Sequence, residues 1–438
     1  MSEQLHISDV ILDYISGDWG DDKPTEENTV KVACVRGADI NDVNASKFNS
    51  IPTRYISEGT LQRKCLPVGS IIIEKSGGTN TQSTGRVAYI SKECKEVNEK
   101  IICSNFCVAF TVKPEWDARY IYNYLQYIYT TGAFFNYEGK TSGIHNLQVE
   151  QAFAAIPIDY IPKEAQEKAA NILATLDQKI ALNRQINQNL EALAKQLYDY
   201  WFVQFDFPDE NGKPYKSSGG AMVYNEQLKR EIPKGWNICQ LNEYILSDNT
   251  GDWGKDAISD GYFEVGCIRG ADILSLIDLP KRYIKNKEKL LSEHDIVIEV
   301  SGGSPSQATG RCAYISKGVI ERNGSRITCS NFCHAFTLKD YRKSTYFYYT
   351  WQLLYNSGNM FNYEGKTSGI KNFMTEMFLK NYWIDVPQKL ANDFFEKVFV
   401  WYAMRDANIT GNSSLIKQRN ELLPLLMNGQ VNFDLSAC

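Results

Sequence analysis

The sequence predicts an α+β protein in which a β-rich domain and a long α-helix occur in that order twice. Three observations predict it: an internal repeat, β-patterned runs between glycine turns, and two long segments of three-and-four apolar periodicity. The repeat comes first. Gly17-Asp18-Trp19-Gly20 returns at 251–254, and Val35-Arg36-Gly37-Ala38-Asp39-Ile40 returns as Ile268-Arg269-Gly270-Ala271-Asp272-Ile273. Ser76-Gly77-Gly78 and Thr84-Gly85-Arg86 return as Ser301-Gly302-Gly303 and Thr309-Gly310-Arg311. Cys103-Ser104-Asn105-Phe106-Cys107 returns at 329–333, and the ten residues Phe135–Ile144 return unbroken at 361–370. The offset stays between 234 and 225. Such order over about 130 residues marks duplication of a whole domain.

Within each copy the first hundred residues read as strands. Ser70–Glu74, Arg86–Ile90 and Val108–Val112 are β-branched or alternating, with glycine turns between them. Tyr120–Tyr129 and Thr345–Tyr355 read as amphipathic helices. From Ala165 to Trp201 there is neither Gly nor Pro, and Leu173, Leu176, Ile180, Asn183, Asn187, Leu190, Ala194, Leu197 and Trp201 form a coiled-coil seam. In the second copy Val398, Tyr402, Arg405, Ile409, Asn412, Ile416, Arg419 and Leu423 form its counterpart, with Gly411 and its neighbours open to a kink or break. Helices this long do not stay single in water, so each is expected to pack on the other. The asparagines either fix register or lie on a solvent-facing stretch. Phe207-Pro208, Asn211-Gly212, Ser217–Gly220 and Ile232-Pro233 mark an irregular connector. The expected segments are 1–160 (first domain), 161–206 (first helix), 207–232 (connector), 233–387 (second domain) and 388–433 (second helix).

Composition restricts the function. The chain has 438 residues, net charge −5, 43% hydrophobic residues and eleven cysteines. No apolar run approaches the roughly 18 residues of a membrane span, and the start lacks a signal pattern, so a cytoplasmic protein with free thiols and no membrane partner is expected. Residues 1–160 hold 15 basic and 20 acidic residues, and residues 207–387 hold 22 and 21. Nucleic-acid binding then needs a local basic stripe, not a basic chain.

The catalytic search is empty. Gly139-Lys140-Thr141 and Gly365-Lys366-Thr367 resemble the end of a phosphate-binding loop, but the required first glycine is Phe134 or Met360. A nucleoside triphosphatase is thereby excluded. The same loops, with Ser142 or Ser368 and then His145-Asn146 or Lys371-Asn372, still offer donors to phosphate or base edges, unless they are plain turns. Lys75-Ser76-Gly77-Gly78-Thr79 and Ser301-Gly302-Gly303-Ser304 bare their backbone. Gln82 and Arg86, or Gln307 and Arg311, follow each and suit adenine and guanine edges; a hairpin needing positive φ is the alternative. Arg36, Arg269, Tyr137 and Tyr363 complete the candidate DNA-contacting set. Cys103 and Cys107, with Cys329 and Cys333, supply two metal ligands per copy where zinc needs four, and fit ordinary buried positions on one strand face. No metal and no catalytic residue is assigned.

At this point a resemblance is evident. Ile161-Pro162-Lys163-Glu164-Ala165-Gln166 leading into Ile172–Ile180, and Asn211–Gly220 running to Glu231-Ile232-Pro233-Lys234-Gly235-Trp236, resemble the specificity subunits of type I restriction–modification systems. The likeness covers essentially the whole chain. It implies two target-recognition domains, each reading one half of a bipartite double-stranded DNA site, and two helices packed antiparallel as a spacer. It also implies docking to two methyltransferase subunits and, through the assembly, to restriction subunits. S-adenosylmethionine, ATP and Mg are then expected on those partners and no cofactor on this chain. A tandem duplication with antiparallel helices closes with pseudo-twofold symmetry and presents equivalent surfaces to two identical partners. Tyr198, Tyr200, Trp201 and Phe202 at the helix end either make that contact or cap the helix pair. Asn80 against Pro305, Ser83 against Ala308, and His145 against Lys371 are expected to distinguish the half-sites. A non-enzymatic two-module scaffold for proteins or glycans is the competing reading, and a nuclease a weaker one.

Overall fold

The computed structural model describes residues 4–79, 82–141, 144–304, 306–367 and 370–431, with only the main chain described at 140, 141, 144, 366, 367 and 370. The chain divides into two units, residues 1–182 with 413–438, and residues 183–412. Each long helix contributes one part to each unit.

Unit 1 is built on strands β1 (Ile11–Ser16), β2 (Val30–Val35), β3 (Thr53–Ile56), β4 (Ile71–Glu74), β5 (Ser76–Gly78), β6 (Val87–Tyr89), β7 (Ile101–Cys103), β8 (Cys107–Val112), β9 (Glu138–Thr141) and β10 (Ile144–Leu147). They form sheets in the orders β1-β8-β4-β6, β3-β2-β7 and β5-β10-β9. All of β4 is buried because the strand is central and apolar on both faces. Alternation sends Ile71 and Ile73 into the core that holds the helices, and Ile72 into a second core with Ala88 and Ala109. Helix Ala118–Thr130 begins where Asp117 accepts from the Tyr120 N–H at 2.7 Å. Asp117 N–H in turn donates to Gln166 Oε1 at 2.8 Å, and Gln166 is fully buried. The Ile161–Gln166 motif is therefore the bolt between this domain and the first long helix, Lys163–Tyr198.

Unit 2 holds the hairpin β11 (Met222–Asn225) and β12 (Arg230–Pro233), then β13 (Asn237–Gln240), β14 (Ile245–Thr250), β15 (Phe263–Ile268), β16 (Lys281–Ile284), β17 (Ile296–Glu299), β18 (Ser301–Gly302), β19 (Cys312–Tyr314), β20 (Ile327–Cys329), β21 (Cys333–Leu338), β22 (Glu364–Thr367), β23 (Ile370–Phe373) and β24 (Tyr382–Asp385). Sheets β14-β21-β17-β19, β16-β15-β20 and β18-β23-β22 repeat those of unit 1 strand for strand. The connector is more regular than its Gly and Pro content predicts. It carries the β11–β12 hairpin, Phe207 stacks between Tyr215 and Trp236, and Asp206 holds the Ser217 N–H and hydroxyl at 2.7 and 2.6 Å.

The two long helices pack antiparallel within each unit. In unit 1, Leu173 shares a core with Leu423, Leu426 and Met427, and Asp177 pairs with Arg419 at 3.0 Å. In unit 2, Asn183 bonds Asn412 at 2.8 Å, Asn187 bonds Asn408 at 2.9 Å, and Glu191 pairs with Arg405 at 3.3 Å. Asn183 and Asn412 are buried, so the solvent-facing alternative for the seam asparagines is overturned there. The second helix runs unbroken from Gln388 to Met427. A Cβ on Gly411 would meet only Asn183 Nδ2, at 4.0 Å, so a side chain would fit there, and the glycine does not break its own helix. Tyr198, Trp201 and Phe202 do not form an open contact surface. They are buried in the unit 2 core beside Phe394 and Tyr346, with Trp201 and Phe202 on a π-helical turn, and only Tyr200 is exposed.

Candidate nucleic-acid interface

Two loops about 70 residues apart meet in one small sheet. Strand β10 pairs with β9 on one side and β5 on the other, His145 lying against Gly78 and Asn146 against Ser76. The Ser76 hydroxyl donates to Asn146 Oδ1 at 2.5 Å. Unit 2 repeats this with Ser301 against Asn372 and a hydroxyl bond of 2.6 Å. The Ser-Gly-Gly strand and the two strands that flank the Lys-Thr-Ser motif are thus one sheet in each unit. Ser142, Ser368, Asn80 and Pro305 lie outside the described residues.

A buried carboxylate sits beneath each loop. Glu74, 2% exposed, receives Arg86 Nε and Nη2 at 2.9 and 2.6 Å, and Glu299 receives Arg311 at 2.8 and 2.6 Å. Gly77 and Gly302 cross this carboxylate with φ of 136° and 142°. A Cβ there would lie 3.0 or 2.8 Å from the glutamate Oε1, so glycine is needed for both conformation and space. The bidentate bond to Glu74 keeps the Arg86 guanidinium charged against the opposing effect of burial. Arg86 and Arg311 therefore serve first as props under the loop. Arg36 and Arg269 are likewise paired two-fold, with Asp39 and Asp272 at 2.8–2.9 Å, but keep 37% and 47% of their side chains exposed.

A second carboxylate ties the loop to the hairpin. Glu138 accepts from the Thr84 N–H and hydroxyl at 2.6 and 2.8 Å and meets His145 Nδ1 at 2.8 Å. Glu364 accepts from Thr309 at 2.8 and 3.2 Å and pairs with Lys371 at 2.8 Å. Burial raises the Glu364 carboxyl, but Lys371 and Thr309 more than offset this and hold it below the usual range. His145 is buried at 8% exposure, and Ser83 and Ala308 are buried too. These differences between the copies lie inside the element and not on its surface.

Among the described residues, the exposed members of the set are Lys75, Gly77, Thr79 and Gln82 in unit 1 and Arg269 and Gly303 in unit 2. Thr79 and Gln82 close a tight turn, with N–H to carbonyl at 2.7 Å. Gln307 instead turns its carboxamide oxygen to Arg311 Nε at 2.9 Å. Tyr137 packs on the edge of the unit 1 core, and Tyr363 bonds Asn381 at 3.0 Å beside Phe378. Cys103 and Cys107 stand on two strands joined by a turn, not on one face of a single strand. Both are buried, and burial pushes the Cys107 thiol up to about 12.

An aromatic pair beside the loop escaped the sequence reading. Phe106 O accepts from both Lys75 and Ser76 N–H. Its ring, 47% exposed, meets Trp19 edge-on at 6.0 Å, and Arg54 covers the indole at 4.9 Å. Trp253, Phe332 and Arg282 occupy the same places in unit 2, with Arg282 at 4.1 Å. Gly17 and Gly251 permit this, since a Cβ would lie 1.9 or 2.0 Å from the carbonyl oxygen of Ser104 or Ser330. Both motifs were visible as repeats. The signal lay in an aromatic retained twice at an exposed position, and exposure is not a property of the sequence pattern.

The family of the type I restriction modification DNA specificity domain matches residues 17–192. The chain is 28% identical over 201 residues to the type I restriction enzyme MjaIX specificity subunit of Methanocaldococcus jannaschii, covering 42% of this chain and 43% of that protein. It is 45% identical over 53 residues to the HindI specificity subunit of Haemophilus influenzae, 12% of each chain. The matches thus span less than half the length of these relatives. The crystal structure of the type I restriction–modification S subunit from M. genitalium shares the fold, with a TM-score of 0.57, 15% identity, and coverage of 97% of this chain and 96% of that one.

Proposed function

We propose that this chain, in which residues 17–192 are a type I restriction modification DNA specificity domain, is the non-catalytic DNA-reading subunit of a restriction–modification complex. The observation that carries the reading is the twin element. A glycine loop, a Lys-Thr-Ser hairpin and an exposed aromatic pair recur in both units on the same buried props. Two related but distinct faces suit the two unequal halves of a bipartite duplex site. Backbone amides and the hairpin lysine supply phosphate contacts, while side chains at the turn and the aromatic pair reach base edges or thymine methyls. The long helices, the first about 54 Å at 1.5 Å per residue, set the spacer between half-sites and offer faces to two methyltransferase subunits. Those subunits bring S-adenosylmethionine, and restriction subunits bring ATP and Mg. No helix among the described residues is long and apolar enough to cross a membrane, which is consistent with a cytoplasmic assembly.

Selection of duplexes from a random library by the full chain with its co-purifying partners tests this. A bipartite motif is expected, bound in a salt-sensitive manner. Lys140→Ala should weaken selection at one half and leave the other intact. Recovery of no motif, or equal loss at both halves, refutes it.

A further inference from the structure

The glutamate that joins loop to hairpin is the same in both units, but its cationic partner is not. Glu138 is 3% exposed and holds three donors: the Thr84 N–H, the Thr84 hydroxyl and His145 Nδ1. Glu364 is 7% exposed and holds the matching Thr309 donors and the Lys371 ammonium. Lys371 adds a bond to the Ser304 carbonyl at 2.8 Å and lies over the Phe361 ring at 5.0 Å, so it grips the turn directly. In unit 1 the bridge is ionic only when the imidazole is protonated. A buried carboxylate facing a neutral partner is held less firmly than one facing a cation.

Among the described residues, Glu138 is the one acidic contact of the His145 ring, at 2.8 Å. Strand β5 carries no titratable residue. Lys140 is His145's register partner on β9, and Tyr137 lies in the turn before that strand. Glu74 is already saturated by Arg86 below Gly77. A proton on His145 therefore compensates Glu138.

We propose that Glu138 and Glu364 are positioning residues that hold the glycine loop and the hairpin in one reading geometry, and that the histidine in unit 1 makes reading of its half-site depend on pH while the lysine in unit 2 does not. This rests on the DNA-reading function proposed above. Histidine is the side chain that most readily changes charge near neutral pH, whereas lysine stays charged there. The sign follows from the bridge. Reading by unit 1 is strongest on the acidic side, where the pair is ionic, and weakens as pH rises.

The test uses the full chain with its co-purifying partners and the selected duplex, plus two duplexes with one half-site scrambled. Affinity is measured at pH 6 and pH 8 for the wild type, His145→Lys and Lys371→His. His294 and His334 of unit 2 lie outside the bridge, and these exchanges separate any contribution of theirs from that of His145. The wild type should bind about tenfold more weakly at pH 8, the scale of one hydrogen bond to a charged group, through the half-site read by unit 1. His145→Lys should abolish that dependence, and Lys371→His should create it at the other half-site. Glu138→Gln should also abolish it, with affinity held at the weaker level. The same pH response in wild type and His145→Lys overturns the inference. A motif that is selected but shows no such difference sinks the bridge alone, whereas the absence of any motif sinks the DNA reading itself.

Discussion

Units 1 and 2 share three sheets of the same strand order, yet they seat on the long helices by different chemistry. Unit 1 uses aliphatic, small and polar residues: Ala169, Ala170, Leu173, Leu423 and Leu426 are buried at the contact, Gln166 bonds Asp117, and Asp177 pairs with Arg419 while both stay partly exposed. Unit 2 uses aromatics. Phe394, Tyr402, Tyr198, Trp201 and Phe202 are buried together, and an ion pair between Arg322 and Asp406 is sunk to 9% and 8% exposure. The props under the candidate loops did not diverge in this way. Duplication has preserved what shapes the candidate element and left the helix seat free to repack, because a core tolerates new side chains that keep its volume.

The largest effect is expected at the buried ion pair. Asp406 stands where unit 1 has Ala181, so Asp406→Ala converts one seat toward the other. It strands Arg322, whose Nε and Nη2 already lack partners. A loss of about 3–5 kcal/mol in denaturant unfolding of unit 2 is expected, with most of it recovered by adding Arg322→Met. A loss below about 1 kcal/mol would show that the pair is not what separates the two seats.

Next come the loop glycines. Gly17→Ala and Gly251→Ala place a Cβ against main-chain carbonyls that cannot swing aside. Each should cost roughly 1–3 kcal/mol and alter the fluorescence of Trp19 or Trp253. Unequal losses would break the equivalence of the two aromatic loops.

The smallest effect concerns His294. It holds a positive φ of 75° where unit 1 has Gly69 at 91°, and it is fixed by Tyr314 Oη at 2.7 Å and a stacked Tyr341 ring at 5.1 Å. Burial lowers its pKa, only partly opposed by Glu293. A depressed base binds fewer protons folded than unfolded, so its contribution is present at neutral pH and lost as pH falls through the folded value. Hydrogen exchange around 292–296 should therefore speed up between pH 7 and pH 5, beyond the intrinsic change, while 67–71 in unit 1 does not. His294→Asn, which tolerates the same backbone, should remove the difference; persistence in that variant would assign it elsewhere.

Much of this architecture was legible in the residues. The repeat, the strands around Ile71–Glu74 and Val108–Val112, the helix at Tyr120–Tyr129 and the two helical seams all follow from period and turn chemistry, which are local properties. The loops at Ser76 and Lys140 were also visible as candidates, since glycine beside polar donors is a local signature. Their partners were not. Arg86 reads as a free cation until Glu74 is found beneath it, and His145 reads as a surface donor until Glu138 is found beside it. Tyr198, Trp201 and Phe202 read either as an open contact or as a cap on the helix pair until Phe394 is found packed against them. Sequence by itself determined the duplication, the elements and the absence of any recognisable catalytic motif. Only the tertiary structure decided which charges are spent inside the protein and which aromatics stay outside. Burial and ion pairing join residues tens to hundreds of positions apart, and no local pattern records which of them will meet.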